Sequence, residues 1–88
     1  MRIKNIRYSS HFLRALRALP PSVRDIVRER ETWFKRNCFD PRLKTHKLQG
    51  RLKNYWSFSL TRSHRVLFEF MDREVVGFID VGDHSVYF

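Results

Sequence analysis

The chain lacks the cross-links that often stabilise very small domains. It has one cysteine, Cys38, so an internal disulfide is excluded, and no second cysteine is present to pair with a histidine in a zinc site. No apolar run approaches the roughly 20 residues that a membrane-spanning helix needs. The charged N-terminus is not followed by an apolar stretch with a small-residue cleavage site, so we expect no secretory signal and a cytoplasmic location.

Length and composition predict one folded domain covering residues 1–88. A chain of this size buries only about 60–65% of its unfolded surface, which leaves no material for a second core. Hydrophobic residues make up 42% of the chain and aromatic residues 15%, including eight phenylalanines. This is too apolar for a disordered chain, so a packed core is expected.

Acidic residues are scarce: 9 of them stand against 18 lysines and arginines, which leaves a net charge of +9. Residues 35–65 contain nine bases and one acid, a balance of +8, whereas the rest of the chain is nearly neutral. Such clustering predicts a polyanionic partner, nucleic acid rather than membrane, because no amphipathic helix carries the cluster. The alternative is a basic surface that is merely solvated.

Hydrophobic spacing predicts a strand and two helices in the N-terminal half. Residues 2–8 alternate loosely and form the predicted strand. Apolar residues spaced i, i+1, i+4 and i+7 from Phe12 predict a first helix over residues 10–18. Two prolines end it, and Ser22 with Asp25 predicts a capping box for a second helix that ends near Asn37.

Beyond a basic loop over residues 42–53, with Gly50 as its hinge, the hydrophobic period changes from 3.6 to 2. Three strands with turns at 61–63 and 72–73 form a predicted antiparallel meander. Their predicted core-facing residues are Trp56, Phe58 and Leu60, then Val66, Phe68 and Phe70, then Val75, Gly77 and Ile79. The predicted fold class is therefore α+β, with the N-terminal strand and helical hairpin packed on an antiparallel sheet that the meander completes.

Strand alternation also predicts which face Arg65 occupies. If Val66 and Phe68 point into the core, Arg65 points to the opposite face. There it is flanked in sequence by Arg62, His64 and the basic loop.

Three short motifs follow one another in an order known from one family. They are HKLQG at 46–50, WSF at 56–58 followed by HRVLF at 64–68, and VGDHSVYF at 81–88. Together they resemble the RelE/ParE superfamily of bacterial toxins, in particular the RelE- and YafQ-like messenger-RNA endonucleases. The resemblance covers nearly the whole chain and implies a RelE-like fold.

The resemblance implies the toxin of a type II toxin–antitoxin system, with a cognate antitoxin as protein partner. It implies cleavage of messenger RNA in the ribosomal A site, without metal or other cofactor, by attack of a 2′-hydroxyl on the adjacent phosphate. Such a reaction needs a general base, cationic donors for the phosphoryl oxygens and a general acid. Histidine suits the proton transfers because its unperturbed pKa lies near 6.5.

The resemblance also implies roles for individual residues. Arg65 would clamp the scissile phosphate, His84 would be the general acid and His46 the general base. Tyr87 or Phe88 would stack on a base or fix its tilt. The implied RNA-binding residues around this catalytic set are Lys47, Arg51, Lys53, Arg62, His64 and Tyr87.

This chain departs from the family's catalytic patterns. YafQ-like enzymes carry a histidine and an aspartate where Ser59 and Ser63 stand here, and RelE carries lysines in place of Trp56 and Phe58. His64 is therefore an alternative to His46 as the base.

Purely structural roles also stay open at this point. His46 would then hydrogen-bond a loop carbonyl, and Arg65 would pair with Glu69 on the same strand face. Two functions other than RNA cleavage stay open as well: a ParE-like inhibitor of gyrase, and a non-catalytic module of the same fold that binds nucleic acid or a protein partner.

Overall fold

The protein folds as two helices on one face of a five-stranded sheet, and the computed structural model describes residues 1–87. The strands and helices are β1 Asn5–Tyr8, α1 Ser10–Ala18, α2 Pro21–Arg36, β2 His46–Lys47, β3 Trp56–Ser59, β4 Arg65–Asp72 and β5 Val75–Gly82. Short 3-10 helices cover Pro41–Leu43, Gly50–Leu52 and His84–Tyr87. The predicted α+β class is confirmed.

The sheet is mixed, which corrects the expectation of an antiparallel one. Its strand order is β1-β5-β4-β3-β2, and β1 runs parallel to β5 while the other pairs are antiparallel. The antiparallel prediction is right for the meander, where short turns join the strands. A parallel pair needs a long connection, and the two helices with the rest of the sheet supply it between β1 and β5.

The first helix has the predicted bounds, whereas the start of the second differs. The Ser9 hydroxyl caps α1 by accepting a hydrogen bond from the Phe12 amide at 2.9 Å. Helix α2 begins at Pro21 without a side-chain cap, so the capping box predicted from Ser22 and Asp25 is wrong. Proline is well suited to the first helical position, because its missing N–H has no partner there in any case.

Phe34 of α2 joins the helices to three strands. Its ring lies 4.9 Å from Phe58 of β3, 4.9 Å from Phe68 of β4 and 5.4 Å from Phe78 of β5, measured between centroids. All four rings are fully buried, and Phe12 of α1 packs on Phe78 from the other helix. This aromatic contact fixes which face of β3 and β4 the helices cover.

Two predictions about the strands are wrong in detail. In β5 the fully buried side chains are Val76 and Phe78, not Val75 and Ile79, because apolar residues occur on both sides of this strand and a period of two selects neither face. Within the predicted loop, residues 46–47 form the short edge strand β2. Gly50 has the positive φ of 66° expected of a hinge. Among residues 1–87, no helix is long and apolar enough to cross a membrane.

Candidate functional site

Polar side chains from three strands share the face of the sheet that the helices leave open. Phe58 and Phe68 point towards α2, so Ser57 and Arg65, at alternating positions, point away from it. His46 of β2 lies directly opposite Ser57 of β3 in the strand register. Directly opposed residues project from the same face, so His46, Ser57 and Arg65 belong to one surface.

Tyr87 links β3 and β4. The 3-10 helix His84–Tyr87 lies against β4 and β5. The Tyr87 hydroxyl accepts a hydrogen bond from Arg65 Nη1 at 3.1 Å and shares another with Ser57 Oγ at 2.9 Å. This helix approaches β5 closely at Gly82, where a Cβ would lie 3.2 Å from Val86 Cγ1, a tight contact. The C-terminal segment thus places a phenol on the open face.

The Arg65 guanidinium is held by neutral partners. Besides the Tyr87 hydroxyl, it contacts the Arg62 carbonyl oxygen, which lies 3.4 Å from Nη2. Its Nε is the one buried side-chain nitrogen or oxygen that lacks a hydrogen-bond partner within residues 1–87. In the same range, no ion pair with Glu69 forms. Among residues 1–87, therefore, no carboxylate neutralises the positive charge of Arg65.

His84 stands at the start of the C-terminal 3-10 helix and is exposed. Its ring centroid lies 6.3 Å from that of Tyr87, whose ring lies 5.6 Å from the Arg65 guanidinium carbon. Three of the residues singled out in the sequence therefore cluster at one point of the open face. Phe88, the remaining terminal aromatic, lies outside the described residues.

His46 is exposed, and its ring has a defined orientation. Its Nδ1 lies 3.0 Å from the Lys44 carbonyl oxygen, which can only accept a hydrogen bond. Nδ1 is therefore the donor, and in the neutral imidazole Nε2 carries the free lone pair. The predicted contact with a loop carbonyl is present, and it leaves the other nitrogen able to accept a proton.

His64 is part of the turn between β3 and β4. Its Nδ1 lies 3.0 Å from Thr61 Oγ1, and its backbone amide donates to the same hydroxyl at 3.0 Å. It precedes Arg65 in the chain, so alternation directs it to the opposite face of the sheet. It lines a cavity together with His11 of α1 and Asp80 of β5.

The other predicted RNA-binding residues lie at separate places. Lys47 follows His46 along β2 and therefore projects from the opposite face. Arg51 and Lys53 lie at the exposed 3-10 helix of the loop between β2 and β3. Arg62 lies in the β3–β4 turn and shares a cavity with Arg65. The fold thus divides the basic segment among several surfaces.

Cys38 is fully buried, and its backbone forms hydrogen bonds with two other parts of the chain. Its amide donates to the Met1 carbonyl and its carbonyl accepts from the Thr45 hydroxyl at 2.6 Å. Burial raises the pKa of the Cys38 thiol above its ordinary value. The thiol therefore suits packing rather than nucleophilic chemistry.

Comparison with known proteins gives matches in structure only: no protein-family model matches the chain, and no curated protein matches it in sequence. YafQ from Escherichia coli superposes with a TM-score of 0.78 at 17% identity, covering 100% of this chain and 99% of YafQ. A YoeB/ParE toxin from Agrobacterium tumefaciens gives 0.77 at 16% identity, with 92% and 99% covered. The toxin–antitoxin complex RelBE2 from Mycobacterium tuberculosis gives 0.72 at 22% identity, with 97% and 95% covered.

This chain has the fold of the YafQ and RelE toxins. The likeness extends over the whole sheet and both helices, as the coverage of both chains requires. It includes the C-terminal segment that carries His84 and Tyr87, because all of this chain is covered in the YafQ match.

On this toxin fold, two features of the site were missed from the sequence. Ser57 is a fully buried polar residue. Its position between Trp56 and Phe58 in an alternating strand could have identified it from the sequence. Arg30 belongs to the nearly neutral part of the sequence, yet it lines the same cavity as Arg65. No local pattern in the sequence shows that Arg30 lines this cavity, because the cavity lies between helix α2 and the end of the sheet.

Proposed function

We propose that this protein is the toxin of a type II toxin–antitoxin system and that it cleaves messenger RNA at the open face of its sheet. One observation carries the proposal: Arg65, which has no carboxylate partner among residues 1–87, and His84 both lie beside the Tyr87 phenol, on a fold shared with YafQ and RelE. We assign the protein to the cytoplasm, where ribosomes and messenger RNA are found.

Arg65 is the proposed phosphate clamp. Its bonds to a hydroxyl and a carbonyl leave its full charge available to a phosphodiester, and its unpartnered Nε is a further donor if the side chain shifts on binding. Guanidinium donors can meet two phosphoryl oxygens at once, which stabilises charge that develops there in the transition state. Tyr87 positions Arg65 through the hydrogen bond between them.

His46 is the proposed base, in preference to His64. The bond from His46 Nδ1 to Lys44 leaves Nε2 free to accept a proton, and His46 lies opposite Ser57 on the Arg65 face. His64 is tied to Thr61 and directed to the other face, which argues against a role beside Arg65. His84 is the proposed acid, because it is exposed next to Tyr87.

In the proposed reaction, one bond to phosphorus forms as another breaks, and one histidine takes up a proton while the other donates one. His46 Nε2 takes the proton of the 2′-hydroxyl while the 2′-oxygen bonds to phosphorus. The bond from phosphorus to the 5′-oxygen breaks, and His84 donates a proton to that oxygen. The products are a 2′,3′-cyclic phosphate and a 5′-hydroxyl, and Arg65 stabilises the phosphoryl charge throughout.

Partners follow from the same proposal. Lys47, Arg51, Lys53 and Arg62 are exposed bases and would contact phosphates away from the cut, in messenger RNA held in the ribosomal A site. We expect Phe88 to stack on a base together with Tyr87. A cognate antitoxin, with acidic segments that complement the basic surface, would keep the toxin inactive. The structural neighbour YafQ from E. coli has been solved in a toxin–antitoxin complex with DinJ.

The test is RNA cleavage during translation in a reconstituted bacterial system. The wild-type protein and an Arg73→Ala variant should cut the message, whereas Arg65→Ala should not. Arg73 is the matched control because it is exposed in the β4–β5 turn, at the far end of the strand that Arg65 begins. Intact RNA together with inhibition of gyrase on supercoiled DNA would favour the ParE-like alternative. Intact RNA and active gyrase would favour a non-catalytic module.

A further inference from the structure

A cationic cavity adjoins Arg65 at the end of the sheet, beside the β3–β4 turn. Its volume is about 400 Å³. It extends from helix α2 past the segment that follows α2 to the strand that carries Arg65. The residues that line it are Arg30, Arg42, Lys44, Ser59, Leu60, Thr61, Arg62 and Arg65.

The cavity has a strong surplus of positive charge. Five of its lining residues are cationic and none is acidic. Two acids lie just outside it: Glu29 pairs with Arg30, and Asp40 pairs with Arg42 at 2.8 Å. Within residues 1–87, ion pairs to Lys44, Arg62 and Arg65 are absent. Like charges gathered in a small space repel one another unless an anion joins them, so the cavity favours an anionic ligand.

Two of its arginines are held in place by Trp33. The guanidinium carbon of Arg42 lies 3.7 Å from the ring centroid of Trp33, and that of Arg30 lies 4.2 Å from it. A cation near the face of an indole is attracted to it, so Trp33 restrains both groups before any ligand arrives. Asp40 restrains Arg42 further through its side-chain hydrogen bonds, which also hold the pKa of Asp40 below its ordinary value.

Lys44 connects the cavity to the proposed base. It adopts a left-handed backbone with φ 53°, a conformation that lysine rarely takes. Lys44 lines the cavity, while its carbonyl oxygen accepts a hydrogen bond from His46 Nδ1. One residue thus serves both the proposed catalytic site and the cationic wall.

We propose that this cavity binds the phosphodiester backbone of the RNA strand immediately beside the scissile phosphate. This inference rests on the proposed function, because it takes Arg65 as the clamp on the scissile phosphate. Arg65 lines the cavity, so a strand held by Arg65 on the open face can continue into it without leaving cationic surface. Guanidinium, ammonium and hydroxyl groups suit phosphate and sugar, so the subsite contributes affinity without reading sequence.

The test measures binding of RNA that cannot be cleaved. Fluorescein-labelled 2′-O-methyl oligonucleotides of two and eight residues are titrated with wild-type protein, Arg42→Gln, Lys44→Gln and the control Arg73→Gln. For the longer oligonucleotide, each cavity variant should weaken binding about tenfold. The slope of log affinity against log salt should become shallower by about 0.7, as for one lost phosphate contact. The dinucleotide should bind all four proteins alike.

The outcomes separate the two proposals. If the cavity variants bind the longer oligonucleotide as Arg73→Gln does, the subsite is wrong, even where the wild type cleaves RNA. If they lose affinity as expected while the wild type cuts no RNA, the cavity still binds the RNA backbone, but the nuclease proposal fails and with it the placement beside a scissile phosphate. Equal weakening for both lengths, or no binding of either by the wild type, also overturns the subsite. So does binding of a polyglutamate peptide that Arg42→Gln abolishes while RNA binding is unchanged, since the ligand would then be an acidic protein segment.

Discussion

The two faces of the sheet differ in what their side chains do for the molecule. On the helix-covered face, Phe34, Phe58, Phe68 and Phe78 interlock with no polar atom among their side chains. On the open face, Ser57, Arg65 and Tyr87 form a hydrogen-bonded chain, and one buried nitrogen of Arg65 has no partner within residues 1–87. The hydrophobic core and the proposed site therefore lie on opposite sides of the same strands.

The open face carries a cost that the core must offset. An unpaired buried donor such as Arg65 Nε costs about 1–3 kcal/mol. A small domain has a total stability of about 5–15 kcal/mol, so hydrophobic packing on the aromatic face has to offset this cost. Residues kept in such unfavourable states are typical of functional sites, and variants on the two faces should differ accordingly.

The largest effect is expected from Phe34→Ala in the core. It removes the ring that contacts three strands and should lower the free energy of unfolding by about 3–5 kcal/mol. Urea denaturation followed by circular dichroism measures this. Leu13→Ala is the control: Leu13 is 39% exposed, and its loss should cost under about 1 kcal/mol. Equal losses for both variants would contradict the assignment of the core to Phe34.

On the open face, Arg65→Ala should keep the fold and lose cleavage. We expect a loss of about 2–4 kcal/mol of transition-state stabilisation, because one donor to the phosphoryl oxygens is removed. The melting temperature should stay within a few degrees, since the Tyr87 hydroxyl keeps Ser57 as partner. Arg65→Lys should restore little, because an ammonium lacks the planar fork of a guanidinium. An unchanged cleavage rate in Arg65→Ala would remove it from the mechanism.

A somewhat smaller loss is expected from His84→Gln, which keeps a polar side chain but removes the transferable proton. Cleavage should slow by about 10²-fold, within the usual range for a general acid. Growth inhibition should disappear while antitoxin binding persists. His84→Gln is a more specific test than truncation after residue 85, because the truncation would also remove the buried side chain of Val86. Full growth inhibition by His84→Gln would transfer the acid role to another group.

A smaller effect than that of His84→Gln is expected from Tyr87→Phe. It keeps the ring over Arg65 but removes the hydroxyl that joins Arg65 to Ser57. Loss of one such hydrogen bond should slow cleavage by about 1 kcal/mol, roughly fivefold. Ser57→Ala should act in the same direction and less strongly, because the contact from Arg65 to Tyr87 remains. Cleavage unaltered in Tyr87→Phe would show that Arg65 needs no such positioning.

Much of the fold could be read from local patterns. Helix α1 has the predicted bounds because Ser9, the apolar period and the following prolines all act within a few residues of one another. The strands of the meander were predicted for the same reason, and alternation along β4 correctly directed Arg65 away from the helices. The predicted face of β5 was wrong, because its apolar residues lie on both sides of the strand.

The candidate site was predictable only in part. Single residues whose side chains could bind phosphate or transfer protons, such as Arg65 and His84, can be identified in the sequence by their type and position. The hydrogen bonds that join Arg65 and Ser57 to Tyr87 connect residues 22 and 30 positions apart in the chain. The face of the sheet that carries Arg65 could be predicted from the sequence, but the hydrogen bonds that hold Arg65 in place could not.

By itself, the sequence determined the element order of the helices and the meander, the charge of +9 and the types of chemically active side chains. These depend on composition and on neighbours a few residues away. Only the tertiary structure decided that β1 lies parallel to β5, that the basic segment divides among several surfaces, and that Arg30 and Arg42, which packs on Trp33, line the cavity beside Arg65. These facts depend on contacts between distant segments, which form only when the helices cover one face of the sheet and leave the other open.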